Sequence, residues 1–423
     1  MLGFIAADLR RHWIGVLAVT LIIALAVALG VVVTLQERAL RLGSARAAQA
    51  FDLVVGAPGS ETQLVLSAVF LQAAPLPLME GDVLAGLIAD PRVAWAAPVG
   101  FGDFVDDHPI VGTTQQLVGG LGRLVEGRTF AKLDEAIIGA AVPKEMDARF
   151  HPMHGQPQGP AEVHGGISYR VVGRMAATGT PWDRAVLVPI EAVWRVHGHG
   201  ADAGHDHDHD AAPKPRGMAE ARQQHRDFAP DLDAPINPAA LSEAHAPGLP
   251  AIVVKPKTIA DAYKLRRDYR SAHTVAVFPA EVLTRLYGTL GDARQVIALV
   301  AYGAQALVGA AILLVVVIHV LQRRRQIGAL RAFGAPRAAV FAIVWLEVLT
   351  LLGTGMLAGF ALGYAAARLV SRVVETASGI ALPVIATPTD AGALIGLFAV
   401  GALVAIIPAL LAYRQSPAAA LRG

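Results

Sequence analysis

The feature that most constrains this chain is a short basic turn between two long apolar stretches. The turn runs from Leu321 to Arg337 and holds Arg323, Arg324, Arg325, Arg331 and Arg337 with no acid. Val296 to Leu321 precedes it and Ala338 to Ala367 follows it, each longer than the ~20 residues that cross a bilayer as a helix. Cationic loops between spans stay in the cytoplasm, so this turn sets the orientation of everything attached to it. Ile327, Leu330 and Phe333 recur at helical spacing, which predicts a short amphipathic helix within the turn. Gly334 is placed to end it and Pro336 to open the next helix.

The rest of the chain is consistent with a membrane protein. Hydrophobic residues make up 54% and charged residues only 17%, and the mean hydropathy is +0.49, a skew that soluble domains do not show. A net charge of +2 argues against a nucleic-acid partner. With no cysteine, disulfides and thiolate-bound zinc or iron–sulfur centres are excluded. Ile14 to Leu35 carries no charge and follows Arg10 and Arg11, so it reads as a retained signal anchor with its N-terminus inside. A cleavable leader is the rival reading, because Ala48-Gln49-Ala50 resembles a cleavage box. Against it, the apolar core exceeds the usual length of roughly 7–15 residues and the box lies far downstream. Ala391 to Ala412 is the last apolar stretch, followed by Arg414 and Arg422. Four spans result, with both termini cytoplasmic.

Between the first two spans lies a folded segment, residues 51–278, on the opposite side of the membrane. Phe51–Gly56, Arg92–Val99, Phe104–Val111, Ala136–Gly139, Tyr169–Met175, Ala185–Val188, Ala251–Lys255 and Thr274–Phe278 read as strands. Helical patterns at Gly81–Ala89 and Ile259–Arg270 make the class α+β. Residues 36–50 and 279–295 are polar helical extensions of the spans, so they read as stalks. The glycines from Gly119 to Gly127 lack the strand-to-helix placement of a nucleotide fingerprint and read as turn glycines. Gly179 to Arg184 reads as a structured turn or a surface contact. In the third span Gly355, Gly359 and Gly363 fall four apart, a stripe for close helix packing. Glu347 lies inside that span, where a carboxylate is either functional or a paired structural group.

Residues 197–250 change character and read as a solvent-exposed, disordered insertion. His197 and His199 precede His205, Asp206, His207, Asp208, His209 and Asp210. In an extended chain the histidines from 205 to 209 share one side and the acids the other. Several imidazoles can then gather a zinc, nickel or copper ion, zinc being the metal favoured here. The alternative is a solvated low-complexity insert.

Two motifs carry a family resemblance. Arg323 to Ala335, Arg-Arg-Arg-Gln-Ile-Gly-Ala-Leu-Arg-Ala-Phe-Gly-Ala, resembles the cytoplasmic coupling loop of the FtsX-like and MacB-like permeases of ABC transporters. Gln326 stands where Glu is usual and Phe333 where Leu or Met is usual. Pro408 to Arg422 resembles the same family's closing signature. The resemblance implies a bacterial inner-membrane permease, multi-pass, with a MacB-like periplasmic core domain assembled as two lobes. One lobe would combine Phe51–Val111 with Ala251–Phe278. It further implies a permease homodimer on an ATPase dimer, with Arg325, Ile327, Gly328, Leu330, Arg331, Phe333 and Gly334 forming the docking element. An extracytoplasmic adaptor or lipoprotein is a further expected partner. Motion would pass through the stalks to the outer domains.

No lysine follows a glycine, so the chain has no phosphate-binding Gly-Lys-Ser/Thr loop. ATP is therefore expected on a separate subunit, and the chain is not expected to be an enzyme. The cargo stays open among a metal or metal chelate, a lipoprotein, and a peptide or drug for export. A membrane-anchored metal sensor without transport is the reading from a different class.

Overall fold

The computed structural model describes residues 2–72, 74–155, 161–163, 166–197, 232–243, 246–289 and 336–414, with Gly303, Ala306 and Ala310. Its helices are α1 (Leu2–Arg11), α2 (Trp13–Ala48), α3 (Glu61–Ala68), α4 (Asp82–Ala89), α5 (Gln115–Leu121), α6 (Ile190–Val196) and α7 (Ile259–Asp268). Later in the chain come α8 (Arg337–Ser378), α9 (Pro388–Val404) and α10 (Ile406–Arg414). Its strands are β1 (Leu53–Gly56), β2 (Val93–Val105), β3 (His108–Thr113), β4 (Leu124–Gly127), β5 (Glu135–Ile138) and β6 (Arg149–Phe150). They continue with β7 (Met153–Gly155), β8 (Ala161–Val163), β9 (Tyr169–Met175), β10 (Val186–Pro189), β11 (Ala251–Pro256) and β12 (Val275–Val277). The chain divides into a helical unit, Met1–Leu42 with Thr289–Val373 and Leu382–Gly423, and a sheet unit, Gly43–Gly288 with Val374–Ala381.

In the sheet unit the strands run in the order β12-β1-β11-β2-β3-β10-β5-β9-β4. The pairs β3–β10 and β5–β9 are parallel, whereas β1–β11, β1–β12 and β2–β3 are antiparallel, so the sheet is mixed. All four residues of β1, Leu-Val-Val-Gly, are buried, the pattern of a strand covered on both faces. Strands separated by some two hundred residues thus close on one another, with Val54 opposite both Val253 and Val277. Trp182 anchors the core beneath: its ring centroid lies 5.8 Å from that of Phe51 and its indole N–H donates to the Val69 carbonyl at 3.1 Å.

Three sequence expectations change here. The stretch 197–250 is not a disordered insertion throughout, since His197 caps α6, Leu232, Leu241 and Leu249 are buried, Pro238–Ser242 is a 3-10 turn and Leu249 bridges to Met79. Arg92–Val99 and Phe104–Val111 are not two strands with a loop between them. Val93 to Val105 is one strand, and the chain reverses at Asp106-Asp107, where Asp106 takes a φ of +53° and Val105 pairs with His108. Aspartate tolerates the left-handed region, so an Asp-Asp pair serves as a two-residue hairpin turn. Gly119 and Gly120 are not turn residues either, since both lie in α5. A Cβ on Gly120 would come within 2.5 Å of Trp95, so glycine is what lets the helix settle on that ring.

The Gly179–Arg184 segment is a structured turn. Pro181–Arg184 is a 3-10 turn, and the Asp183 carboxylate accepts from the Thr178 N–H at 2.8 Å and the Gly179 N–H at 2.7 Å. Arg184 donates to the carbonyl of Ala377, in the last turn of α8, and to Asp107 at 2.9 Å. The Ala381 N–H then donates to the Gly179 carbonyl at 3.0 Å. A guanidinium on the exposed carbonyls of a helix end satisfies them and complements the dipole.

In the helical unit α2 and α8 pack along the glycine stripe. A Cβ on Gly355 would lie 2.7 Å from Ile23, one on Gly359 2.6 Å from the Ala24 carbonyl, and one on Gly363 2.8 Å from the Ala28 carbonyl. Gln36 Nε2 donates to the Ala367 carbonyl at 2.6 Å, and Arg38 grips Asp390 with two bonds of 2.7 and 2.8 Å. These contacts tie α2 to α8 and α9. The third-span helix does not stop near Ala367. It continues to Ser378, because no breaker intervenes before Gly379, which turns the chain at a φ of +73°. The fourth stretch is two helices, α9 and α10. Proline at 408 has no N–H for the carbonyl of residue 404, and the helix breaks there.

Among the described residues two helices are long and apolar enough to cross a membrane, Trp13–Ala48 and Arg337–Ser378, and Pro388–Val404 is a shorter apolar one. Leu17, Leu21, Leu25 and Leu29 on α2 and Leu357 and Leu369 on α8 are exposed. Exposed apolar side chains in such numbers form a surface suited to lipid or to another apolar face rather than to water. The expected second span, Val296–Leu321, lies outside the described residues apart from single helical positions.

Candidate functional site

The coupling residues Arg325, Ile327, Gly328, Leu330, Arg331, Phe333 and Gly334 lie outside the described residues. The same holds for His199, His205, Asp206, His207, Asp208 and His209. Arg337, at the end of the basic turn, opens α8 and sets its guanidinium 6.0 Å from the ring centre of Tyr413 on α10. Glu347 is half-buried on α8. From the histidine group only His197 is placed, and it does not stand alone.

Its position follows from the packing of α6. That helix lies across β2 and β3 where Gly100 and Gly112 pair in the sheet. A Cβ on Gly100 would come within 2.6 Å of Ile190, and one on Gly112 within 2.5 Å of Val193. Paired glycines therefore sink the helix onto the sheet, and His197, the C-cap residue of α6, reaches back over β2. Between Gly100 and Asp103 the β2–β3 register slips. Such a bulge re-aims the side chains that follow it. Asp103 then stands directly opposite His154 across the β2–β7 pair, so the two side chains share one face of the sheet.

Three groups converge in this way. The Asp103 Oδ1 lies 3.2 Å from His154 Nδ1 and 3.6 Å from His197 Nε2. The two imidazole rings meet edge to face at 5.6 Å, and all three donor atoms fall within 4.8 Å of one another. The Asp103 side chain is 5% exposed, that of His197 25% and that of His154 55%. His197 Nδ1 is 2.9 Å from the Val193 carbonyl. A carbonyl only accepts, so Nδ1 carries hydrogen and the neutral ring turns its Nε2 lone pair towards Asp103. The facing Asp103 carboxylate pushes the His197 imidazole above its ordinary value, and burial acts the other way.

The cluster sits at the edge of a cavity of about 600 Å³ whose wall includes Leu71, Phe101, Phe104, Ile110 and Trp194 together with Asp103 and His197. Sequence reading names His197 but misses Asp103 and His154. They are 51 residues apart, and no spacing rule links them. The one available signal is a single acid within a strand otherwise rich in apolar residues.

Residues 298–417 match a family model described as FtsX-like permease C-terminal. No curated protein matches the chain. Among solved structures, the periplasmic region of MacB from Actinobacillus actinomycetemcomitans is similar at 9% identity. That match covers 57% of this chain and 95% of that one, with a TM-score of 0.32. The extracellular domain of the noncanonic ABC-type transporter YknZ from Gram-positive bacteria is similar at 11% identity, covering 53% and 98%, with a TM-score of 0.28.

Proposed function

From the match of residues 298–417 to the FtsX-like permease C-terminal family we propose that this chain is the membrane subunit of an ABC transporter through which a separate ATPase moves an extracytoplasmic domain. Permeases of this family work with a cytoplasmic ATPase. The observation that carries the reading is the coincidence of that family match with two apolar helices, α2 and α8, packed glycine to backbone. In this reading four spans cross a bacterial inner membrane with both termini cytoplasmic and residues 51–278 outside. Two copies pair on an ATPase dimer, and Leu330 and Phe333 dock in its cleft while the neighbouring arginines meet its acidic rim or lipid head groups. Closure of the ATPases then travels along the helical stalks. An adaptor or lipoprotein on the outer face completes the assembly, and the histidine tract from His199 to His209 gathers zinc for it.

The test is co-purification with a cytoplasmic ABC ATPase co-expressed with this chain. Leu330→Asp or Phe333→Asp buries an unpaired charge in an apolar cleft, a cost of several kcal/mol. Association and permease-stimulated ATP turnover should be lost while insertion is unchanged. Full association in both variants would remove the docking assignment. Export of a lipoprotein or peptide is the second reading. It is favoured if uptake of scarce zinc is unaffected when His199, His205, His207 and His209 become serine.

A further inference from the structure

We propose that Asp103, His154 and His197 form a binding site for a single divalent transition-metal ion of the zinc, cobalt or nickel kind. The proposal does not rest on the transport reading, and it concerns a site built by the sheet rather than the histidine tract.

The donor spacing supports it. An ion bound tetrahedrally at about 2.0–2.2 Å holds its ligand atoms roughly 3.3–3.6 Å apart. Asp103 already stands at 3.2 and 3.6 Å from the two imidazole nitrogens. The imidazoles fall within 4.8 Å of each other, a gap that rotation of the exposed His154 ring closes. The chemistry agrees. Two nitrogens and one carboxylate oxygen suit first-row transition ions, whereas magnesium and calcium prefer oxygen throughout. The supporting contact is also of the kind that metal-binding histidines use. His197 Nδ1 is held on the Val193 carbonyl at 2.9 Å, which fixes the ring and directs Nε2 at the site.

The backbone holds the three groups rigidly. Asp103 and His154 are register partners in a sheet, and His197 is carried by a helix seated on paired glycines. With His154 on the solvent side and three protein donors among the described residues, a coordination position is left for water or for a ligand in the adjoining cavity. The ion should therefore exchange readily, unlike one in a closed four-ligand structural site.

The test uses the full-length chain, purified in detergent with a histidine-free affinity tag. His199, His205, His207 and His209 are replaced by serine so that the tract cannot contribute. Cobalt(II) is titrated and followed by its visible absorption, zinc is added in competition, and bound metal is counted by elemental analysis. One ion per chain is expected. Asp103→Asn and His154→Gln in that background should each weaken cobalt binding by about 100-fold or more, and the ion should raise the thermal midpoint of the parent only. His154 is exposed, so its variant keeps the fold, and tryptophan fluorescence verifies this. Absence of stoichiometric cobalt from the parent, or equal binding by parent and His154→Gln, would overturn the proposal and leave the cluster as a histidine–aspartate ion pair.

Discussion

Glu135 offers a quantitative test of how the sheet unit is held. Its side chain is 1% exposed and lies between two arginines. Arg128 donates to it from both Nη1 and Nη2, Arg170 Nη2 donates at 3.0 Å, and the Ala131 N–H donates at 2.7 Å. The hydrogen bonds from Arg128 are the largest cause holding its carboxyl down, from 4.5 to about 2. At about 1.4 kcal/mol per tenfold change, that depression corresponds to about 3 kcal/mol of stability. The sign follows from proton uptake: between pH 4.5 and about 2 the unfolded chain binds a proton that the folded one does not. The contribution is thus complete above pH 4.5 and falls by about 1.4 kcal/mol per pH unit until it is gone near pH 2. Glu135→Gln keeps the shape and cannot titrate, so it should cost about 2–3 kcal/mol at pH 7. Urea unfolding of both proteins in detergent, followed by tryptophan fluorescence, reads the difference directly. Carboxylates common to both, such as Asp90 and Asp268, cancel. The gap between the proteins should close as the pH falls from 4.5 towards 2. A gap that stays constant over that range would refute the assignment.

The helix seam predicts that Gly359→Val will destabilise the helical unit by about 1–3 kcal/mol, because the new atoms meet the Ala24 carbonyl; thermal unfolding in detergent checks this, and an unchanged midpoint would contradict it. Arg38→Ala strips Asp390 of a two-bond partner, so a loss of about 1.5–3 kcal/mol is expected by the same measurement. Arg184→Ala should raise hydrogen exchange at residues 374–381, since the last carbonyls of α8 lose their donor; protection equal to that of the parent would show that the latch is idle. Cysteines placed at Ala211 and at Gln326 read the orientation. An impermeant thiol reagent on intact cells should label the first and spare the second, and the reverse pattern would invert the topology.

Much of the architecture was readable in one dimension because its signal is local. A charge-free run such as Ile14 to Leu35 has a single low-energy solution in lipid. Short runs rich in valine, isoleucine and tyrosine show the strands at Tyr169–Met175 and Ala251–Lys255 in their own composition, and most positions of both are buried. The four-residue period of Gly355, Gly359 and Gly363 marks a packing face, though the structure supplies the partner, α2. The helix end at Ser378 was missed because an α-helix runs until something stops it, and the polar residues after Ala367 are not breakers.

What only the tertiary structure decided is where distant residues meet. Asp103 and His154 face each other because of a strand register and a one-residue bulge, and neither leaves a trace in the spacing of side chains. His197 joins them because two glycines on adjacent strands let α6 approach. Read by itself, His197 belongs to the tract that follows it. Folded, it belongs to the sheet. Local periodicity reports what a segment will become, but pairing between segments depends on register, and register is settled only when the whole core packs.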